Sequence, residues 1–225
     1  MFRFSALFAA IAFGLVTYHF SAWRMKRTLD QNSTPLVDPT INALTDRLAR
    51  ELEIPQIPVH VYEIDMVNGL AAPDGRVFIT RGFLNKVKMG EVSAAEIASV
   101  IAHELGHVAL GHSKKRMIDF TGSNAVRTVL AIFFSRFIPF VGVYIANFVT
   151  QVIMARLSRD AEYEADAYAA ALLTKAGIGV APQISLFEKL DRMAPAGQPM
   201  AWLMSHPKTE ERIAAIERLE AGWSA

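Results

Sequence analysis

Apolar positions along this chain come in two kinds: two long apolar stretches, and shorter segments in which apolar residues recur at the period of a helix or a strand. The first long stretch runs from Phe4 to Trp23. At about 1.5 Å per residue it would span roughly 30 Å, the thickness of a bilayer's hydrocarbon core, which predicts one N-terminal transmembrane helix. Arg3 precedes it, and Arg24, Lys26 and Arg27 follow. A cleaved signal peptide would show a shorter apolar region and a small-x-small site ahead of a neutral start. Here Ser21-Ala22-Trp23 runs straight into the basic cluster, so residues 1–27 are expected to be an uncleaved anchor. Thr28 to Val37 is polar and punctuated by proline, and reads as a linker over 28–37.

A globular domain is expected over 38–225. Asp38-Pro39 offers an N-cap followed by proline at the first helical position, with Ile41, Leu44, Leu48 and Leu52 on one helical face. Pro58 to Met66 carries Val59 and Val61 at strand period, Asn68-Gly69 offers a turn, and Arg76 to Thr80 places Val77 and Ile79 on a second strand. Ser93 and Glu96 form a capping-box pair ahead of a helix with Ile97, Val100, Ile101, Leu105 and Val108, and Gly111 is its expected stop. The second long apolar stretch spans Thr128 to Ala155, with Arg136 as its single charge. Helices are then expected from about Ser158 to Lys175, closed by Gly177, from Ile184 to Met193, and from Pro207 to Glu220 after a loop rich in proline and glycine. The fold class that follows is α+β, mostly helical with a small sheet, without internal repeats or low-complexity tracts.

Composition narrows the function. A chain of 225 residues with 52% apolar residues can bury one substantial core. Lysine plus arginine, 23, nearly cancel aspartate plus glutamate, 22, so the charge balance does not point to nucleic acid. There is no cysteine, which removes thiol catalysis, cysteine-ligated zinc and disulfides while leaving the compartment open. The positive mean hydropathy, +0.24, comes from the two long stretches rather than from a uniform excess.

The expected helix after Ser93 carries His103-Glu104-Leu105-Gly106-His107. Residues four apart on a helix differ by only about 40° in direction, so the two histidines can share one metal ion. Glu104 lies about 100° round from His103, within reach of a metal-held water as a general base and outside the ligand set. A catalytic zinc site normally takes three protein ligands. His112 nearly completes the metzincin pattern, but that pattern needs glycine and histidine where Leu110 and Ser113 stand. His112 also falls about 180° round the helix from His103, and reads as a surface or helix-end residue. His19 and His60 read as structural.

A better third ligand lies in Ser158-Arg159-Asp160-Ala161-Glu162-Tyr163-Glu164-Ala165-Asp166. Glu162 and Asp166, four apart, share a helix side with Ala165 and Ala169, small residues that let two helices approach. Glu162 could bind the metal while Asp166 accepts the free ring N–H of a ligand histidine. Asp160 and Glu164 read as a solvated face.

The motifs H-E-L-G-H, S-R-D-A-E-Y-E-A-D-A-Y-A and S-H-P-K-T-E-E-R-I, in that order, resemble the gluzincin family of the heat-shock protease HtpX and the CAAX prenyl (Ste24-like) proteases. The similarity covers roughly Asp38 to Leu219. It implies a zincin-type catalytic domain binding one zinc ion per chain, with Glu162 rather than Glu164 as third ligand and Asp166 behind a ligand histidine. It also implies that Asn68 to Thr80, with Asn68, Val77 and Ile79, is the strand edge along which a substrate lies; relatives often have alanine where Gly69 stands. For His206, followed by Pro207, two readings stay open: an N-cap-like histidine, or a residue facing the zinc as oxyanion donor or fourth ligand.

The expected activity is zinc-dependent hydrolysis of peptide bonds in protein or peptide substrates. Glu104 takes a proton from the attacking water and passes it to the leaving amine. No covalent intermediate is needed, in keeping with the lack of cysteine and of a Gly-x-Ser-x-Gly elbow. The rival from another class is a zinc-ordered chaperone or binding module, which would not need Glu104. The apolar insert at about 128–155 lies between His107 and Glu162, which must meet at one metal, so a single crossing is excluded. Its twenty-eight residues are too few for two crossings of about twenty each. A helical hairpin bent near Pro139 and Gly142 is expected, with Arg136 opposing deep insertion and basic flanks suited to anionic lipid. The excess of Arg24, Lys26 and Arg27 over Arg3 leans the catalytic domain toward the cytoplasmic side of the cell's inner membrane, and membrane-protein quality control is the expected setting. Nothing in the sequence specifies an oligomeric state.

Overall fold

The structure, a computed structural model, describes residues 16, 19–20, 23–72, 74–112, 130–131, 134–136, 142–193, 206 and 210–223. Its elements, in chain order, are β1 (Ser33–Pro35), α1 (Pro39–Glu51), β2 (Val59–Tyr62), β3 (Gly69–Ala71), β4 (Val77–Thr80), α2 (Arg81–Lys88), α3 (Ala94–Ala109), α4 (Gly142–Lys175), α5 (Ala181–Met193) and α6 (Glu210–Trp223). The architecture is α+β and mostly helical, with one four-stranded sheet. The chain divides into two units, Met1–Gln31 with His112–Asp160, and Asn32–Gly111 with Ala161–Ala225.

Local chemistry sets the ends of the helices in the second unit. Asp38 caps α1 by accepting from the N–H groups of Thr40 and Ile41, and Pro39 occupies the first turn. Ser93 and Glu96 make a reciprocal capping box at α3: Ser93 Oγ accepts from the Glu96 N–H at 3.2 Å, and Glu96 Oε2 from the Ser93 N–H at 2.7 Å. Gly111 and Gly177 end α3 and α4 with φ of 71° and 66°, a conformation that side chains other than glycine's resist.

The sheet order is β1-β2-β4-β3, with β2 parallel to β4 and the two outer strands antiparallel to their neighbours. Asn68-Gly69 therefore opens an edge strand instead of making a tight turn, because pairing of Gly69–Ala71 with β4 overrides the local turn preference. Likewise Ser33–Pro35, within the stretch read as linker, pairs with β2. Val59, Val61, Val77 and Ile79 share the core-facing side and meet Ile41 and Leu48 of α1, Phe83 of α2, Ile97 and Ile101 of α3, Leu173 of α4 and Leu186 of α5.

In the first unit, residues 23–31 are helical. Trp23 is 54% exposed, the Phe20 ring lies 5.9 Å from it, and the Arg27 guanidinium sits 5.4 Å over it. The amino-terminal part of α4 exposes Tyr144 (74%) and Phe148 (67%). The helix expected from Ser158 begins at Gly142, since no proline or glycine interrupts the chain between there and Lys175. Among the described residues no helix is long and apolar enough to cross a membrane. Most of the expected anchor, and the Pro139 bend of the expected hairpin, lie outside the described residues.

Candidate active site

Helix α3 carries the HELGH segment with every residue from Glu96 to His107 buried. His103 and His107 project from one face, and their Nε2 atoms are 3.1 Å apart. The crossing of α3 with α4 depends on Gly106. A Cβ there would lie 3.0 Å from the Ala165 carbonyl oxygen, 3.1 Å from Ala165 Cα and 3.3 Å from Tyr168 Cβ. With glycine on one helix and Ala165 and Ala169 on the other, the backbones come close enough for a short carboxylate side chain to reach both histidines. Glu162 Oε2 is 3.4 Å from His103 Nε2, and its Oε1 is 3.5 Å from His107 Nε2.

His206 completes the cluster. Its Nδ1 is 2.9 Å from Glu162 Oε2 and 3.3 Å from His103 Nε2, and its Nε2 is 3.3 Å from Glu104 Oε1. Ligand atoms of His103, His107, Glu162 and His206 all lie within 4.8 Å of one another, and all four residues are buried. Behind them, Asp166 Oδ1 is 2.9 Å from His103 Nδ1, a contact that would keep a proton on Nδ1 and leave the Nε2 lone pair for a metal ion. Asp166 is itself gripped by Arg212, Nε to Oδ2 at 2.6 Å and Nη2 to Oδ1 at 2.8 Å. The Arg212 guanidinium lies 4.7 Å over the Phe187 ring, and its Nη2 is 3.4 Å from Glu162 Oε2.

The buried charges of the site bear on whether these residues suit a metal. Glu104, Glu162 and Asp166 are buried beside one buried guanidinium, Arg212, which leaves two negative charges while the imidazoles are neutral. Without a cation, only protons on histidine can balance them, and the titration behaviour follows that need. Burial alone would push His103 down, yet Asp166 and Glu162 outweigh it and raise it to about 9. His206 is also raised, against burial, by Glu104 and Glu162. His107 goes the other way, pushed down to about 3 by burial and then by the positive His103. Burial would raise the three carboxylates, but they are all held low, Glu162 by His103 and His206, Glu104 by His206, and Asp166 by Arg212 and His103. A divalent cation would supply the same two charges, and imidazole nitrogens with one carboxylate oxygen are a donor set that zinc takes. The residues fit the metal.

The other expected residues fall as follows. Asn68 heads the edge strand β3, its N–H donating to Thr80 Oγ1 at 2.9 Å and its Oδ1 accepting from the Gly69 N–H at 3.0 Å. Val77 and Ile79 are not on an edge: β4 is an inner strand, paired on both sides, and both side chains are fully buried in the core. The free edge of that segment is β3, which packs beside α3. His112 is buried rather than at the surface, and does not join the ligand group. Glu164 is exposed, one side round from buried Glu162. Arg212 was not singled out from the sequence. Its signal was available: it stands four residues before Ile216 on the buried side of α6, a charged residue on an apolar face.

The sequence model of peptidase family M48 matches residues 35–220. The chain belongs to peptidase family M48. The metalloprotease LoiP of Escherichia coli is 30% identical over 80% of this chain and 70% of its own length. The metalloprotease YcaL of Escherichia coli is 31% identical over 72% of this chain, which spans 62% of YcaL. A protease HtpX homolog of Salinibacter ruber is 26% identical over 95% of this chain and 87% of its own. As a member of the M48 family the protein is a zinc-dependent metalloendopeptidase, acting on protein or peptide substrates.

Proposed function

We propose that this M48 peptidase holds one zinc ion with His103, His107 and Glu162, uses Glu104 as general base, and works at a membrane surface. The observation that carries the reading is the buried convergence of His103, His107, Glu162 and His206, ligand atoms within 4.8 Å, from three separate parts of the sequence. Zinc, when bound, polarises the scissile carbonyl and makes water acidic enough to attack near neutral pH.

The chain's own residues supply the rest. Glu104 is buried and held in its ionised form by His206, so it can accept the proton of the attacking water at Oε1 or Oε2 and deliver it to the leaving amine nitrogen. His206 has its two ring nitrogens toward Glu162 and Glu104, an arrangement that suits a protonated donor to the developing oxyanion. Its place in the ligand group favours a second role, as a fourth ligand that closes the site. An extended substrate would pair with β3 from Asn68 onward, its main chain running beside α3.

Membrane attachment is proposed through an anchor over 1–27 and the apolar hairpin at about 128–155. Support comes from Trp23 capped by Arg27, an aromatic and basic pair suited to the lipid headgroup level, and from the exposed Tyr144 and Phe148. Quality control of membrane proteins, with the catalytic unit on the cytoplasmic side of the inner membrane, is the setting we favour. The ligand set is tested by zinc analysis of purified variants. Glu162→Ala should lose most of its metal through dialysis, whereas Glu164→Ala should keep about one zinc per chain. The reverse ranking would overturn the assignment.

A further inference from the structure

Helix α5 touches the site's supporting residues at two levels. Ser185 Oγ donates to Glu96 Oε1 at 2.7 Å and Lys189 Nζ to Glu96 Oε2 at 2.9 Å, which fixes α5 against the capped end of α3, seven residues before His103. Two residues before Ser185 on α5, Gln183 is 1% exposed and turns its amide nitrogen on Asp166. Nε2 lies 3.4 Å from the Asp166 main-chain oxygen and 3.4 Å from Oδ1. These are long bonds, each weak by itself. Together they tie the carboxylate to its own main chain, a link that Arg212, which meets only the two side-chain oxygens, does not make. Oδ1 is also the oxygen that faces His103 Nδ1.

The side chain pays for this placement. Among the described residues no donor meets Gln183 Oε1, and a buried acceptor without a donor lowers stability. For packing alone, methionine of similar length and volume would serve at least as well. We infer that Gln183 is a positioning residue: it sets the torsion of Asp166, and through Asp166 Oδ1 the ring direction of His103. The inference rests on the reading that His103 holds the metal with Asp166 behind it.

The test uses the full chain in detergent micelles, wild type against Gln183→Met and Gln183→Glu. Methionine removes the donor and the unmet acceptor together, so stability and positioning should move in different directions. The metal-free Gln183→Met protein should melt no lower than wild type. Its zinc should pass to an excess of chelator about three- to ten-fold faster, below the loss typical when a group touching a ligand histidine is removed. In the cobalt-substituted protein the visible ligand-field bands should shift, and kcat should fall with KM unchanged. Gln183→Glu, which sets a carboxylate against Asp166, should release zinc faster still. Zinc release within about twofold of wild type in both variants, or faster release accompanied by an equally lowered melting point of the metal-free Gln183→Met protein, would overturn the inference. A wild-type chain that purifies without zinc would instead overturn the metal reading on which it stands.

Discussion

Replacing Gly106 with alanine sets two known effects against each other. In an exposed helix interior, glycine to alanine stabilises by about 1 kcal/mol, because alanine loses less chain entropy on folding. At this crossing the new Cβ would stand 3.0 Å from the Ala165 carbonyl oxygen and 3.1 Å from Ala165 Cα, both main-chain atoms of α4 that cannot rotate away. The helices must part by a few tenths of an ångström, and overpacking of that kind costs about 1–3 kcal/mol. The net change in stability should be small, between about zero and 2 kcal/mol of destabilisation. Function should suffer more. Glu162 leaves α4 less than one turn before Ala165, so the same displacement moves its carboxylate away from His103 and His107, now 3.4 and 3.5 Å from it. The assay is urea unfolding with and without chelator, together with zinc content. The stabilisation that zinc confers on wild type should shrink markedly in Gly106→Ala. A variant that is more stable than wild type by the full alanine gain and holds zinc as tightly would show that the helices do not meet closely at Gly106.

Further outcomes follow from the same contacts. Arg212→Met leaves Asp166 buried without its strongest partner and should cost about 3–5 kcal/mol by chemical denaturation, with Arg212→Lys recovering little because a single ammonium cannot span both oxygens. Glu96 is held below its ordinary value of 4.5 by Lys189, the Ser93 N–H and Ser185 against the upward push of burial. A depressed carboxylate contributes stability above its unfolded value and loses it as pH falls through the folded value, so this contribution should fade as pH drops below about 4.5. The stability gap between wild type and Lys189→Met, measured by denaturation over that range, should close with acid; a constant gap would refute the ion pair's role. Single cysteines at Lys115 and Arg159, flanking the apolar insert, should label alike with an impermeant thiol reagent on intact cells. Opposite accessibility would overturn both the hairpin and the Glu162 assignment.

Signals that depend on a few neighbouring residues were legible in the sequence. Asp38-Pro39, the Ser93 and Glu96 box, Gly111 and Gly177 end their helices by chemistry confined to one turn, and the pairing of His103 with His107 needs only helical geometry. Features that depend on distant partners were not. Ser33–Pro35 is a strand only because β2 lies beside it, and Asn68-Gly69 starts one only because β4 does. Strand period put Val77 and Ile79 on one face but could not reveal that β4 lies inside the sheet. The start of α4 at Gly142 was hidden because an apolar run looks the same whether or not it continues a helix. Arg212, 46 residues away, and Gln183, on the next helix, both meet Asp166 from other elements, and only the packed structure brings them to it.

The central claim is that Glu104 acts chemically at a metal centre built from its neighbours. Glu104→Gln keeps the shape of the side chain and removes its ability to take a proton. The most direct measurement compares cleavage of a casein-like or membrane protein substrate by wild type and Glu104→Gln, with zinc determined on the same preparations. Both proteins should carry about one zinc per chain, and the variant should lose nearly all cleavage. Undiminished cleavage by a zinc-loaded Glu104→Gln protein would contradict the account.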